Sequence, residues 1–370
     1  MDYRSLNAIT EFDKEPMPNF EYDLHKFSNY EYISELDICK AYHQVPLNEE
    51  SKKFTAFPTN LGLMQYKMLP FGLSTACATY IRLMRIILKD LDNIVCYFDN
   101  IFVISSSWEK HLHDLETVLK RLQEYGLTAK PEKCSLGLHE VDYLGYRITK
   151  DGLKPQEGKV VAIRNLRPPG CKKELRSFLG SLNFYGRLIP NLADNSCNLT
   201  NYLKKGSPDS FTLNDMAMKE FNFLKECLVS PPILKVPDLE KPFCLRTDAS
   251  SIGLGGVLLQ YTNDVPYPVA FASRKLLPRE TRYFTSELEC LAIVWAIKKF
   301  EYYLKGKQFI LECDHEPLTY LESFKGSNAR LMRWALALQS SAYRIVYVKG
   351  KHNSLADLLS RCTGESSESH

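Results

Sequence analysis

The chain has 370 residues, 45% hydrophobic and 25% charged, ordinary proportions for a globular protein long enough to form two or three domains. Lysine and arginine number 47 against 44 acidic residues, and the resulting +3 singles out no class of partner, because only the local distribution of charge matters. The longest uninterrupted apolar stretch, Cys290–Ile297, is eight residues against the ~18 of a membrane span, and the polar, acidic first twenty residues carry no secretory signal.

From Met1 to about residue 150, short apolar runs alternate with turn signals and helical stretches, as in an α+β domain. Tyr32–Leu36 reads as a strand ending at Asp37. The run 94–104, apolar on both sides of Asp99-Asn100, reads as a β-hairpin, since Asp-Asn tolerates the positive φ of a tight two-residue turn. An Asp at a hairpin tip has turn-making as its plain role. Two such strand-end carboxylates brought side by side would instead suit a hard divalent cation, which prefers oxygen ligands. Spacing alone leaves open whether Asp37 and Asp99 meet.

Residues 159–187 change character: Lys159, Arg164, Arg167, Lys172, Lys173, Arg176 and Arg187 oppose the single acid Glu174. Pro168-Pro169-Gly170 breaks this stretch, and a helix is predicted from Lys173 onward. Interleaved with Phe178, Phe184 and Tyr185, these cations form either a solvated face or a surface for a phosphate backbone. A Pro-rich connector through Pro231, Pro232, Pro237 and Pro242 leads to a third block with strands, a long helix over Ser286–Leu304 and a strand over Gln308–Cys313. Asp248, Glu289, Asp314 and Asp357 fall in or beside these elements; each alone is most simply a surface charge. Eleven cysteines are scattered without a C-x-x-C unit, the closest pair (Cys227 and Cys244) standing 17 apart, which fits buried thiols in a reducing compartment rather than zinc or disulfides. The predicted organisation is 1–150, 151–236 and 237–362, with a disordered tail at 363–370.

Several ordered motifs carry a resemblance. LDICKAYHQVPL (36–47), LPFGLSTACATY (69–80), YFDN (97–100) and YLGYRIT (143–149) follow the order and spacing of a reverse transcriptase, and the chain resembles the polymerase of gypsy-type LTR retrotransposons. RSFLGSLNFYGRLIP (176–190) is similar to the family's thumb, and PPILKVPDLEKPFCLRTDAS (231–250) to its passage into RNase H. The resemblance implies a multidomain α+β and α/β fold: palm with partial fingers, helical thumb and an RNase H-like mixed sheet with helices. It also implies metal-dependent, RNA-directed DNA synthesis and hydrolysis of RNA in RNA–DNA hybrids. The partners would be a primer–template, dNTPs and an RNA–DNA hybrid. Each active site would use two Mg²⁺, with Mn²⁺ as a substitute. The setting would be intracellular: cytoplasm, retroelement particles or nucleus.

Residue by residue, the resemblance makes Asp37 and Asp99 the palm metal ligands, with Asn100 standing where the family has a second Asp. Tyr42 takes the place of the aromatic residue that excludes a ribose 2′-hydroxyl. Phe71 and Gly72 would lie under the incoming base and template. Lys133 matches the lysine that protonates the leaving pyrophosphate. Leu144, Gly145 and Tyr146 would grip the primer end, and Lys172, Lys173 and Arg176 would meet the duplex backbone. In the third block Asp248, Glu289, Asp314 and Asp357 match the RNase H carboxylates. Glu289 is chosen over Glu287 because the family's glutamate stands three residues before an Ala-Ile pair, here Ala292-Ile293. Some RNases H carry a His just before the last Asp segment; the comparable position here is near Tyr347, and the resemblance leaves open whether Tyr347 or nearby His352 assists product release. Two departures, Asn100 and the family's earlier fingers strands lying outside this sequence, lead to an expectation of weak polymerase and better-preserved RNase H activity. The competing reading is a non-catalytic, nucleic-acid-binding remnant.

Overall fold

The computed structural model describes residues 1–231, 233–313, 329–339 and 341–347, and the chain divides into two compact units, Met1–Val141 and Asp142 onward. Asp314 and Asp357 lie outside the described residues, as do His352 and the predicted tail.

The first unit opens with short helices α1 (Arg4–Ile9) and α2 (Phe20–Leu24), the strand β1 (Tyr32–Asp37) and a one-turn helix α3 (Glu49–Lys52). A small hairpin follows, β2 (Phe57–Thr59) with β3 (Gly62–Met64), and then helix α4 (Ala76–Ile87). Strands β4 (Ile94–Tyr97) and β5 (Asn100–Ser105), helix α5 (Trp108–Glu124) and strand β6 (Ser135–Leu138) complete it. The main sheet runs in the order β4-β5-β1-β6. Alternation divides its faces. Leu36, Ile94, Ile101 and Val103 point one way and bury against Tyr80, Met84 and Ile87 of α4 and Val118 and Leu122 of α5. Glu35, Asp37 and Asn100 point the other way, at one end of the sheet.

The β4–β5 hairpin differs from expectation by one residue. Tyr97 pairs with Asn100, so the turn is Phe98-Asp99, with Phe98 at φ 51°. Asn100 is drawn into the sheet because it stands opposite Asp37 and donates its amide to Glu35.

At the junction, β7 (Val141–Tyr143) leads to the hairpin of β8 (Tyr146–Thr149) and β9 (Gly152–Pro155). Helices α6 (Glu157–Arg164), α7 (Lys172–Phe184), α8 (Leu192–Asn195), α9 (Cys197–Asn201) and α10 (Asp215–Val229) follow. The predicted helix after the Pro-Pro-Gly break is thus α7. Its Leu175, Phe178 and Leu182 are buried, and Phe178 packs on Phe221 of α10.

Five strands then form a mixed sheet in the order β12-β11-β10-β13-β14. They are β10 (Cys244–Ala249), β11 (Gly253–Thr262), β12 (Val265–Lys275), β13 (Phe309–Cys313) and β14 (Tyr343–Tyr347). The pairings β12-β11-β10 are antiparallel and β10-β13-β14 parallel. Between β12 and β13 run α11 (Thr285–Lys299) and α12 (Glu301–Leu304), and α13 (Ala329–Leu338) precedes β14. Cys290, Ile293 and Ala296 of α11 pack with Phe243, Leu245, Leu258 and Leu311. The long helix expected over Ser286–Leu304 is therefore two, interrupted at Phe300, whose ring is buried in the same core. Gly256 allows the close fit, since a Cβ there would stand 3.3 Å from Ala296 Cβ. No helix among the described residues is long and apolar enough to cross a membrane, and none of the described cysteines forms a disulfide.

Candidate active sites

In the first unit, antiparallel register sets Asp37 opposite Asn100, and the amide of Ile38 donates to the Asp99 carbonyl at 2.7 Å. The strand end and the hairpin turn are therefore held side by side, which spacing alone had left open. A cation belonging to the chain is already there: Lys133 Nζ lies 3.1 Å from Asp37 Oδ2. The ammonium's pKa is raised, first by its bond to Asp37, with Asp99 contributing through its charge. Lys133 thus feels both carboxylates. The backbone makes this possible, since Lys130 N donates to the Asp37 carbonyl at 2.8 Å. Gln44 reinforces the arrangement by accepting from Thr128 N at 2.7 Å and donating to the Cys39 carbonyl.

The aromatic neighbours also converge. Tyr42 meets the half-exposed ring of Phe71 edge-to-face at 5.1 Å and that of Tyr80 at 5.5 Å, and its hydroxyl lies 2.9 Å from Cys77 Sγ. Burial, then Cys77 and Asp99, push the Tyr42 phenol well above its ordinary pKa, so it stays neutral. Gly72 sits at φ 97°, a conformation that favours glycine, and its would-be Cβ is 3.3 Å from the Tyr3 ring. Asn7 clamps this loop from both sides, donating to the Gly72 carbonyl at 2.8 Å and accepting from Ser74 N at 2.9 Å. Sequence reasoning missed Asn7, Gln44 and Glu35. Asn7 and Gln44 act across 65 and 84 residues, and nothing local signals such contacts.

In the second unit, Leu144 and Gly145 form the β7–β8 turn at φ 49° and 81°. The turn is fastened to the end of α7. Tyr185 Oη donates to the Gly145 carbonyl at 2.9 Å, Tyr146 Oη donates to the Phe184 carbonyl at 2.8 Å, and the Tyr146 and Phe184 rings stack at 5.6 Å. A Cβ on residue 145 would stand 3.1 Å from the Phe184 ring. The basic residues of α7 separate into two kinds. Lys172 is only 14% exposed, donates to the Ser207 carbonyl at 2.5 Å and lies 3.8 Å from Asp209. Lys173 and Arg176, one helical turn apart, are exposed.

The carboxylates of the five-stranded sheet are described in part. Asp248 is exposed near the end of β10, opposite Gly255 of β11, while Glu289 lies on α11 and is 5% exposed. Its neighbour Cys290 registers the field: burial first, then the charges of Glu289 and Glu287, push that thiol up to about 12. Glu287 is committed elsewhere. One oxygen accepts from Phe284 N at 3.1 Å, capping the helix, and the other accepts from Arg330 at 3.0 Å. Arg330 in turn lies 3.9 Å over the Tyr283 ring. Two residues before Asp248 on β10, Arg246 pairs with Glu312 of β13 at 2.5 Å, and Tyr261 Oη donates to the same carboxylate at 2.8 Å, so charges buried inside the sheet are matched. Among the described residues no three His, Cys, Asp or Glu side chains cluster as a ready metal cage.

Comparison with known proteins agrees with this architecture. Residues 1–148 match the reverse transcriptase (RNA-dependent DNA polymerase) family, and residues 238–341 match the RNase H-like domain found in reverse transcriptase. The Pol polyprotein of transposon 297 from Drosophila melanogaster is 41% identical over 364 residues, covering 98% of this chain and 34% of that polyprotein. The polyprotein of Drosophila melanogaster transposon gypsy is 34% identical, with 98% and 36% covered. The chain resembles retrotransposon Pol polyproteins over nearly all of its length. It is a reverse transcriptase domain followed by an RNase H-like domain, and it spans about a third of the length of these curated relatives. Transposon Tf2-7 polyprotein of Schizosaccharomyces pombe is 32% identical, with 99% of this chain and 28% of that polyprotein covered. Among solved structures, foamy viral protease-reverse transcriptase in complex with dsDNA superposes with TM-score 0.84 at 22% identity, covering 94% of this chain and 74% of that one. The same viral protein in complex with an RNA/DNA hybrid gives TM-score 0.79 at 23% identity, covering 96% and 49%. These likenesses establish a shared fold.

Proposed function

We propose that this Pol chain synthesises DNA on an RNA template at the Asp37–Asp99 end of the palm sheet and cleaves RNA in RNA–DNA hybrids at the Asp248–Glu289 side of the mixed sheet. The observation that carries the polymerase reading is the meeting of Asp37 and Asp99 around a cation, the ammonium of Lys133. A carboxylate pair that holds one cation fits another, and Asp37 and Asp99 would hold Mg²⁺ or Mn²⁺. When bound, two such ions supply charge neutralisation for a triphosphate and activation of the attacking oxygen. The chain's own residues do the rest. Tyr42, braced by Phe71 and Tyr80, walls the nucleotide pocket where a ribose 2′-hydroxyl would sit. Phe71 offers an exposed ring to base and template. Lys133, already charged, is placed to give a proton to the leaving pyrophosphate. Leu144, Gly145 and Tyr146 grip the primer end through a turn whose shape is set by α7. Lys173 and Arg176 face the duplex backbone.

For hydrolysis, Asp248 and Glu289 would hold the ions, together with Asp314 and Asp357, as the family resemblance suggests. Glu289 is the ligand on α11 because Glu287 is spent on the helix cap and on Arg330. Primer–template, dNTPs and hybrid are the substrates this reading assigns, in an intracellular, reducing setting. The test compares two glutamine variants on a labelled RNA–DNA hybrid. Glu289→Gln is expected to lower cleavage by ~10²-fold or more with the melting temperature retained. Glu287→Gln is expected to keep cleavage but melt earlier, through loss of a charged cap and ion pair of order 1–2 kcal/mol. The reverse pattern rejects the assignment. Asp248→Asn that cleaves at the unmodified rate rejects the site.

A further inference from the structure

Asn100 stands where the family resemblance places a carboxylate, and its own amide is bonded to a carboxylate of the neighbouring strand. Asn100 Nδ2 donates to Glu35 Oε1 at 2.6 Å, between two half-buried residues. Glu35 and Asp37 are two apart on β1 and so share a face, and Asn100 stands directly opposite Asp37 on that face. Glu35 is thus the diagonal neighbour of Asn100, within reach of its amide. Asp37 and Asp99 act on Lys133, and Glu35 stands on the same face of the sheet two residues before Asp37. We infer that Glu35 supplies the third negative charge of the palm site, in place of residue 100, and that Glu35 and Asn100 act as one charge-and-hydrogen-bond unit. The inference rests on the polymerase reading of the palm.

The physical reason lies in what each alternative would do. An amide can donate to a carboxylate; a second carboxylate cannot. Aspartate at residue 100 beside Glu35 would set two like charges across one diagonal of the strand pair and remove the hydrogen bond that orders them. Glu35 acts here as a positioning and field residue, not as a ligand, since Glu35, Asp37 and Asp99 do not form a metal-holding cluster. Its charge adds to the attraction for a divalent ion across a half-buried surface, where a change of about three- to tenfold in affinity is the expected size. Aspartate at residue 100 would therefore add attraction for the ion at a cost in stability, because it would stand unbonded beside Glu35.

The test is a double-mutant cycle in the full chain carrying Asp248→Asn, so that the palm is titrated with little contribution from the other site. Mn²⁺ affinity by calorimetry and thermal midpoint are read together. Glu35→Gln should weaken Mn²⁺ binding three- to tenfold with the midpoint kept, because the glutamine side-chain carbonyl still accepts from the Asn100 amide. Asn100→Asp should lower the midpoint by several degrees and tighten Mn²⁺ binding, because the ion relieves the repulsion between the two carboxylates. The double variant, in which the introduced glutamine donates to the introduced aspartate, should recover both values. Unchanged Mn²⁺ binding in Glu35→Gln overturns the inference, and so do additive effects on the thermal midpoint across the cycle. Asp37→Asn separates the two readings: if it abolishes Mn²⁺ binding while Glu35→Gln has no effect, the palm site stands and only the role of Glu35 fails. If Mn²⁺ binding is indifferent to Asp37→Asn as well, both fail.

Discussion

Lys133 holds Asp37 through an ion pair of 3.1 Å, although the two residues are 96 positions apart in the chain. The same ammonium feels Asp99. The two carboxylates are therefore held about a positive charge, and on the proposed reading a divalent ion would compete with Lys133 for Asp37.

This competition predicts opposite effects on binding and turnover. Lys133→Met should bind Mn²⁺ a few-fold more tightly, because a competing cation is gone. Its primer extension should slow by ~10–10²-fold at saturating metal, the usual cost of losing a positioned proton donor. Calorimetry and single-turnover extension read the two separately. Weaker metal binding in Lys133→Met would show that the lysine orders Asp37 more than it obstructs it.

The cations of α7 should differ in kind. Lys173→Ala and Arg176→Ala should each weaken duplex binding at every sequence and flatten the log-affinity against log-salt slope by about 0.9 per phosphate contact. Lys172→Ala should leave that slope alone and lower the thermal midpoint, because its ammonium is bound to the Ser207 carbonyl and near Asp209. A full unit of slope lost with Lys172 would mean that these internal bonds open when nucleic acid binds.

Palm stability should fall in acid through His111. Its ring is 1% exposed and lies between Ser34 Oγ at 2.7 Å and Ser105 Oγ at 3.2 Å. Burial lowers its pKa, a shift only partly offset by Asp114. A folded-state pKa below the unfolded value means that the unfolded chain takes up the proton first. The contribution is complete above the unfolded value of ~6.5 and is lost as pH falls below it, with a slope of at most ~1.4 kcal/mol per pH unit. Urea unfolding between pH 7.5 and 5 should show this slope, and His111→Gln should flatten it. An equal slope in the variant would assign the acid sensitivity to other groups.

Much of this molecule was legible in the residues. The order of apolar runs and turn signals announced the strands, the break at Pro168-Pro169-Gly170 announced α7, and the ordered motifs announced the family. Those signals are local: they depend on side-chain period, backbone preference and short spacing, which a linear sequence carries in full. The one-residue error at the hairpin tip is instructive, because local preference favoured an Asp-Asn turn, whereas pairing with β1 drew Asn100 into the sheet.

Other features exist only because distant segments meet. Glu287 and Glu289 are equivalent by hydrophobic pattern on a helix apolar nearly all round, and it is the fold that brings Arg330 and the helix cap to Glu287. Lys172 and Lys173 are adjacent and chemically identical, yet one is tied down by the 207–209 segment and the other is exposed. Nothing local announces that Asn100 bonds to Glu35, which antiparallel register places diagonally across from it. Residue type and periodicity were enough to say where most elements form, and the family resemblance named the candidate acids. Which charges are paired was settled by the folded arrangement, because the Coulomb and hydrogen-bond energies that set a carboxylate's role act over ångströms in space and are indifferent to separation along the chain.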